Sequence, residues 1–118
     1  MNSENIIKKK VKPYPIECVL TGKAQPIKAK IVKLTEIGFL VNVGREFFRT
    51  LEALSVDFVL PVSKDAISTE VKVITTYDNY KEPNGTSSRL VEMQFTHLPD
   101  NQSRSIYNFL VAIKQIKS

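Results

Sequence analysis

From residue 16 to residue 95 the chain alternates apolar and polar side chains with a period of two, and turn residues interrupt the pattern every ten positions or so. Such a rhythm builds short, half-buried strands and leaves little room for a helical or parallel-sheet architecture. Residues 16–20 read as a first strand, closed by a turn at Thr21, Gly22 and Lys23. Ile27, Ala29 and Ile31 then alternate with Lys28 and Lys30, and the phase shifts at Val32 before Leu34. A one-residue slip of this kind signals a bulge or a barrel corner. Gly38 breaks the run, after which Phe39, Val41 and Val43 resume it.

Further along, residues 56–62 form a strand with Phe58 and Leu60 on one face and Pro61 near its end. Residues 67–77 are long and β-branched, Pro83-Asn84-Gly85 marks a turn, and residues 89–95 place Val91, Met93 and Phe95 on one side. Two segments depart from the strand rhythm. Phe47, Phe48, Leu51 and Leu54 fall at helical spacing, which predicts one or two helical turns between Gly44 and Leu54. After Pro99-Asp100, which offers a cap, Ile106, Phe109, Leu110 and Ile113 form the apolar stripe of a helix. Six strands and one terminal helix predict a mainly β fold: a six-stranded antiparallel β-barrel with a C-terminal α-helix, closed so that no strand edge is left bare.

At 118 residues the chain is one domain by length and buries roughly 65% of its unfolded surface, enough for a core without staples. Residues 1–12 read as a basic arm and residues 13–118 as the barrel domain with its helix; Pro13 and Pro15 bar a helix at the junction. No apolar run approaches the ~18 residues of a membrane span. The polar start has no apolar stretch behind it, so it does not read as a secretory signal. Cys18 is the only cysteine and His97 the only histidine, which excludes an intramolecular disulfide and a metal cluster, and a cytoplasmic location is the simplest reading. Neither residue has a partner at a spacing that suggests catalysis: Cys18 reads as a small core residue and His97 as a surface residue at a strand end. The expectation is of no enzyme and no bound cofactor.

The charge is uneven. Residues 1–33 carry eight lysines and two glutamates, a local excess of +6 in a chain whose net charge is +5. A basic patch of this kind calls for an anionic partner or serves as a solvated tail. Nucleic acid is set aside, because no aromatic pairs lie on alternating strand positions beside the lysines. Arg45, Arg49, Phe47 and Phe48 interleave base and ring and would either stack on a ligand or plug a barrel end, the second being favoured.

The order of these elements, with Leu34-Thr35-Glu36-Ile37-Gly38 in the middle and Leu90-Val91-Glu92-Met93-Gln94-Phe95, Leu98 and the helix around 106–110 at the end, resembles the PilZ domain family. The resemblance implies a PilZ-like six-stranded barrel that binds cyclic di-GMP, a bacterial second messenger. Such domains act as adaptors to a protein partner in motility, pilus or exopolysaccharide machinery. The family places two arginines four apart before the first strand; Lys8 and Lys12, with Lys9 and Lys10 between them, stand there in this chain. Lysine keeps the charge and loses the planar fork that holds guanine O6 and N7. At about 1–3 kcal/mol per lost bidentate pair, two such losses weaken binding by roughly 30-fold to 10⁴-fold.

The second family motif is Asp or Asn, any residue, Ser, two residues and Gly. Lys33, Thr35 and Gly38 occupy its positions. Thr35 keeps the hydroxyl and Gly38 the permissive backbone, whereas Lys33 puts a donor-only cation where the family has an acceptor. The implied ligand-binding set is therefore Lys8, Lys9, Lys10, Lys12, Lys33, Thr35 and Gly38. The alternative is a ligand-independent adaptor of the same fold, in which Thr35 and Gly38 shape a strand turn. Its barrel face or its terminal helix, at residues such as Tyr107 and Lys114, would dock on a protein.

Overall fold

The computed structural model describes residues 15–82 and 84–114. Six strands follow in order: β1 (Ile16–Thr21), β2 (Ile27–Leu34), β3 (Gly38–Asn42), β4 (Ala53–Val59), β5 (Ala66–Lys81) and β6 (Ser87–Phe95). One helix, α1 (Asp100–Ala112), ends the described chain. The strands close into an antiparallel barrel in the order β1-β2-β3-β6-β5-β4. Residues 1–14, which include the basic arm, lie outside the described residues.

Alternation does what the pattern predicts. Ile16, Cys18 and Leu20 of β1, Val71 and Val73 of β5, and Val91 and Met93 of β6 point inward and join one core. Phe39 sits at its centre, with its ring edge-to-face against Phe58 at 6.3 Å and Phe95 at 5.7 Å. The phase shift at Val32 is a bulge: the β2–β3 register slips between Ile31 and Lys33, so Ile31 and Leu34 both reach the core.

Both ends of the barrel are stoppered by apolar side chains. Ile106, Phe109 and Leu110 of α1 join the interior cluster. The helix is tied to the start of β5 where Ser68 N–H donates to Gln102 Oε1 at 2.9 Å. At the other end Phe48 plugs the core with 2% of its surface exposed. Phe47, its neighbour, stays outside with Arg89 over its ring. The stripe of α1 continues through half-buried Ile113 as expected.

Three expectations need correction. Residues 44–52 form an irregular segment, not helical turns, and Leu54 belongs to β4. The reason is a ladder: Leu51 N–H donates to Val73 O at 2.7 Å and Val73 N–H to Glu52 O at 2.9 Å, so this backbone pairs with β5 instead of with itself. The β5–β6 hairpin is longer than predicted, because strand pairing continues to Lys81 and Ser87. Finally, α1 has Pro99 at its N-cap with no side-chain hydrogen bond, and Asp100 contributes its charge to the first turn instead of capping it. Tyr107 is half-buried, whereas Lys114 is exposed.

Candidate functional site

The residues singled out in the middle of the chain come together at the β2–β3 hairpin. Beyond the bulge, Lys33 pairs with Leu40 and Leu34 with Phe39. Thr35 N–H donates to Gly38 O at 2.8 Å and closes the turn. The Thr35 hydroxyl completes it from inside, donating to Gly38 O at 3.0 Å and accepting from Ile37 N–H and Gly38 N–H, each at 3.2 Å. A hydroxyl has one proton to give and two lone pairs to fill. All of that capacity is spent within four residues, and Thr35 is 7% exposed.

Gly38 is required for a different reason from the one its turn position suggests. Its φ is not in the left-handed region; a Cβ there would lie 2.1 Å from Met93 O and 2.9 Å from Gln94 Cα. The backbone of β6 crosses where a side chain would stand. Glycine lets two strands of the barrel meet.

Outward-facing neighbours of this hairpin form a second, smaller cluster that the chain's alternation hid. Leu40 and Leu90 point away from the core, yet are 1% and 3% exposed, with Val32 and Tyr77 packed against them. Glu92, paired with Leu40 across β3 and β6, is 3% exposed and accepts a hydrogen bond from Tyr77 Oη at 3.2 Å. The signal available in the sequence was an apolar residue at two outward strand positions, Leu40 and Leu90. Lys33 stands half-buried in the same row. Lys8, Lys9, Lys10 and Lys12 lie outside the described residues.

No protein-family model matches this chain, and no curated protein matches it in sequence. Its fold does match solved structures. The PilZ domain of YcgR from Escherichia coli, determined with cyclic di-GMP, superposes with a TM-score of 0.73 over 92% of this chain and 92% of that one, at 7% identity. The Bacillus subtilis inhibitor of motility, MotI/DgrA, superposes with a TM-score of 0.75 at 13% identity. It covers 93% of this chain, which spans 53% of that protein's length. This chain has a PilZ-like fold.

On the PilZ-like barrel the remaining candidates take structural places. Cys18 is buried in β1, and burial pushes its thiol from 9.0 up to about 12, so the thiolate needed for nucleophilic work is suppressed. His97 is exposed just beyond β6, and its carbonyl accepts the Thr69 hydroxyl at 3.2 Å. Among the described residues no group of three His, Cys, Asp or Glu side chains is placed to hold a metal, and no helix is long and apolar enough to cross a membrane.

The 44–52 segment is pinned at several points. Glu52 bonds Lys23 Nζ at 3.0 Å and accepts from Arg49 N–H at 2.9 Å. Burial alone would raise the Glu52 carboxyl; the Arg49 N–H and the Lys23 ammonium outweigh it and hold the group below the usual carboxylate range. Lys23 also lies over the Phe48 ring at 4.7 Å. These contacts fix the plug; they do not assemble reacting groups.

Proposed function

We propose that this chain is a PilZ-type signalling module that acts by binding, and that it passes its signal on through contact with a protein partner without taking cyclic di-GMP at the β2–β3 hairpin. One observation carries the reading: the Thr35 hydroxyl, the polar group the family motif would offer, is fully engaged within its own turn. Lys33 and Glu92 support it. A donor-only cation replaces the acceptor that guanine needs, and Glu92 in the same outer row is buried and already engaged by the Tyr77 hydroxyl. The description of MotI/DgrA as an inhibitor of motility makes motility proteins the first partners to test, ahead of pilus and exopolysaccharide machinery.

A second reading keeps cyclic di-GMP as the input. It is favoured by the similarity to a PilZ domain determined with that nucleotide and by the lysine excess of residues 1–33. Here Lys8, Lys9, Lys10 and Lys12 would meet phosphates and guanine edges, Lys33 would pair with phosphate, and Gly38 would allow close approach. Isothermal titration of the full chain with cyclic di-GMP at low and at physiological salt separates the two. The adaptor reading expects no saturable heat at physiological salt. Saturable heat there, abolished by Lys8→Ala with Lys12→Ala, would replace it with the sensor reading. Heat confined to low salt is screened charge attraction and leaves the adaptor reading standing.

A further inference from the structure

The β5–β6 pair outruns the barrel that it helps to close. β4 pairs with β5 only as far as Lys72, and the backbone of Leu51 and Glu52 adds one more rung at Val73. β5 continues to Lys81, held from there on by β6 alone among the described strands. The rungs fix which way each backbone group points. Arg89 N–H donates to Gly44 O and Arg89 O accepts from Val43 N–H, so Arg89 spends its main chain on the β3 side. Its neighbours along β6 alternate. Ser88, Leu90 and Glu92 therefore turn toward β5, where they pair with Tyr80, Tyr77 and Thr75. On β5 the same alternation turns the N–H and C=O of Thr76 and Lys81, which pair with Val91 and Ser87, away from β6. No described strand stands on that side.

Both faces of this ribbon are already occupied. Outside, Tyr77 packs on Leu90, and Ser88 is 6% exposed, its hydroxyl buried with no hydrogen-bond partner among the described residues. Inside, Arg89 bonds Asp78 at 2.6 Å and the carbonyls of Arg45 and Glu46 at 3.1 and 2.6 Å. What is left to a partner is the edge. Its approach suits pairing: Ile74-Thr75-Thr76-Tyr77 is β-branched and aromatic, with no charge and no proline to blunt it. Leu51, 66% exposed, stands at the corner where the rungs to β5 stop. Lys81, at the far end, is exposed and has no ion pair among the described residues.

We propose that the β5 edge from Thr76 to Lys81 takes up an extended segment of a protein partner as an added strand, uncharged beside Thr76 and acidic beside Lys81. The inference rests on the adaptor reading above and names its surface and mode of contact. Main-chain donors and acceptors along a strand edge are best matched by another extended backbone. A second copy of this chain fits worse. Antiparallel self-pairing across residues 76–81 sets the irregular register between Tyr77 and Tyr80 against itself and each Lys81 against Thr76. The ladder then breaks at its middle, and neither lysine meets an acid.

Two measurements test this. In amide hydrogen exchange of the full chain, read by NMR, Thr76 and Lys81 N–H should exchange fast while Thr75 and Tyr77 N–H are protected. Slow exchange at Thr76 in the isolated chain means that the edge is already filled and overturns the proposal. The second is photo-crosslinking in the cells that encode this chain, with p-benzoylphenylalanine in place of Tyr80 or, in a separate strain, of Tyr107 on α1. The expected product joins position 80 to an extended segment of another protein with an acidic end. Thr76→Pro, which removes the outward N–H, should cut that product about tenfold, whereas Thr76→Val, which keeps it, should not. Should Thr76→Pro fail to fold, the exchange measurement still decides. A product from position 107 alone, one that Thr76→Pro leaves unchanged, or one made of two copies of this chain overturns the proposal and leaves the adaptor reading standing. No product from either position overturns both.

Discussion

At the residue scale, single atoms separate a structural from a ligand-binding role. Replacing Gly38 with alanine sets a methyl group against the β6 backbone and should cost about 3 kcal/mol by urea unfolding, with no ligand involved. Thr35→Ala leaves Ile37 N–H and Gly38 N–H without their acceptor and should cost about 1–3 kcal/mol, whereas Thr35→Ser keeps the hydroxyl and should stay within about 1 kcal/mol of the parent. Cys18 gives a pH test. Above pH 9.0 the unfolded thiol ionises while the folded one, raised to about 12, keeps its proton. The unfolded state then binds fewer protons, so stability falls as pH rises through that window, by about 1.4 kcal/mol per pH unit. Cys18→Ala should remove that part of the alkaline slope, and the native thiol should resist thiol reagents until the protein unfolds.

At the element scale, the barrel overrode local periodicity where an end had to be stoppered. Phe47, Phe48, Leu51 and Leu54 have helical spacing, yet Leu51 adopts φ +69°, which ends any helix, and its N–H pairs with β5. The β4–β5 turn carries comparable strain. Val62 has φ +72° and sits between Pro61 O and Ser63 N–H, which bond at 2.8 Å. A β-branched residue pays about 1–2 kcal/mol for that conformation. Because Val62 is 68% exposed, little packing is lost on removing it. Val62→Gly should therefore raise stability by up to about 1 kcal/mol, read as a higher urea midpoint with unchanged slope. In α1, Phe109 is 2% exposed within the core, and Phe109→Ala should cost about 3–5 kcal/mol.

At the scale of the whole molecule, closure removes every strand edge within the barrel and ties distant segments into one unit. Its first and last strands lie on either side of β2 and β3, so folding must close long loops before the ladder is complete. Refolding should fall in the millisecond-to-second range of non-local β topologies, with far-UV circular dichroism and tyrosine fluorescence tracing one coincident transition. The excess positive charge of residues 1–33 should make any weak anion binding by this chain salt-dependent, which is why each titration is set against ionic strength.

The alternation of residues 16–95 and the stripe of 106–113 determined the strand count, the terminal helix and the closed barrel, because period-two and period-3.6 burial are local consequences of which side chains flee water. The bulge at Val32 was legible for the same reason, as a break in phase. Whether Thr35 and Gly38 serve a ligand or the fold was not legible, since the motif spells the same residues in either case. Only the tertiary structure places the β6 backbone against Gly38 and closes the Thr35 hydroxyl within its turn. The outer cluster of Leu40, Leu90 and Glu92 and the unpaired Ser88 hydroxyl were decided there as well, because burial on an outward strand position depends on what distant parts of the chain bring to it.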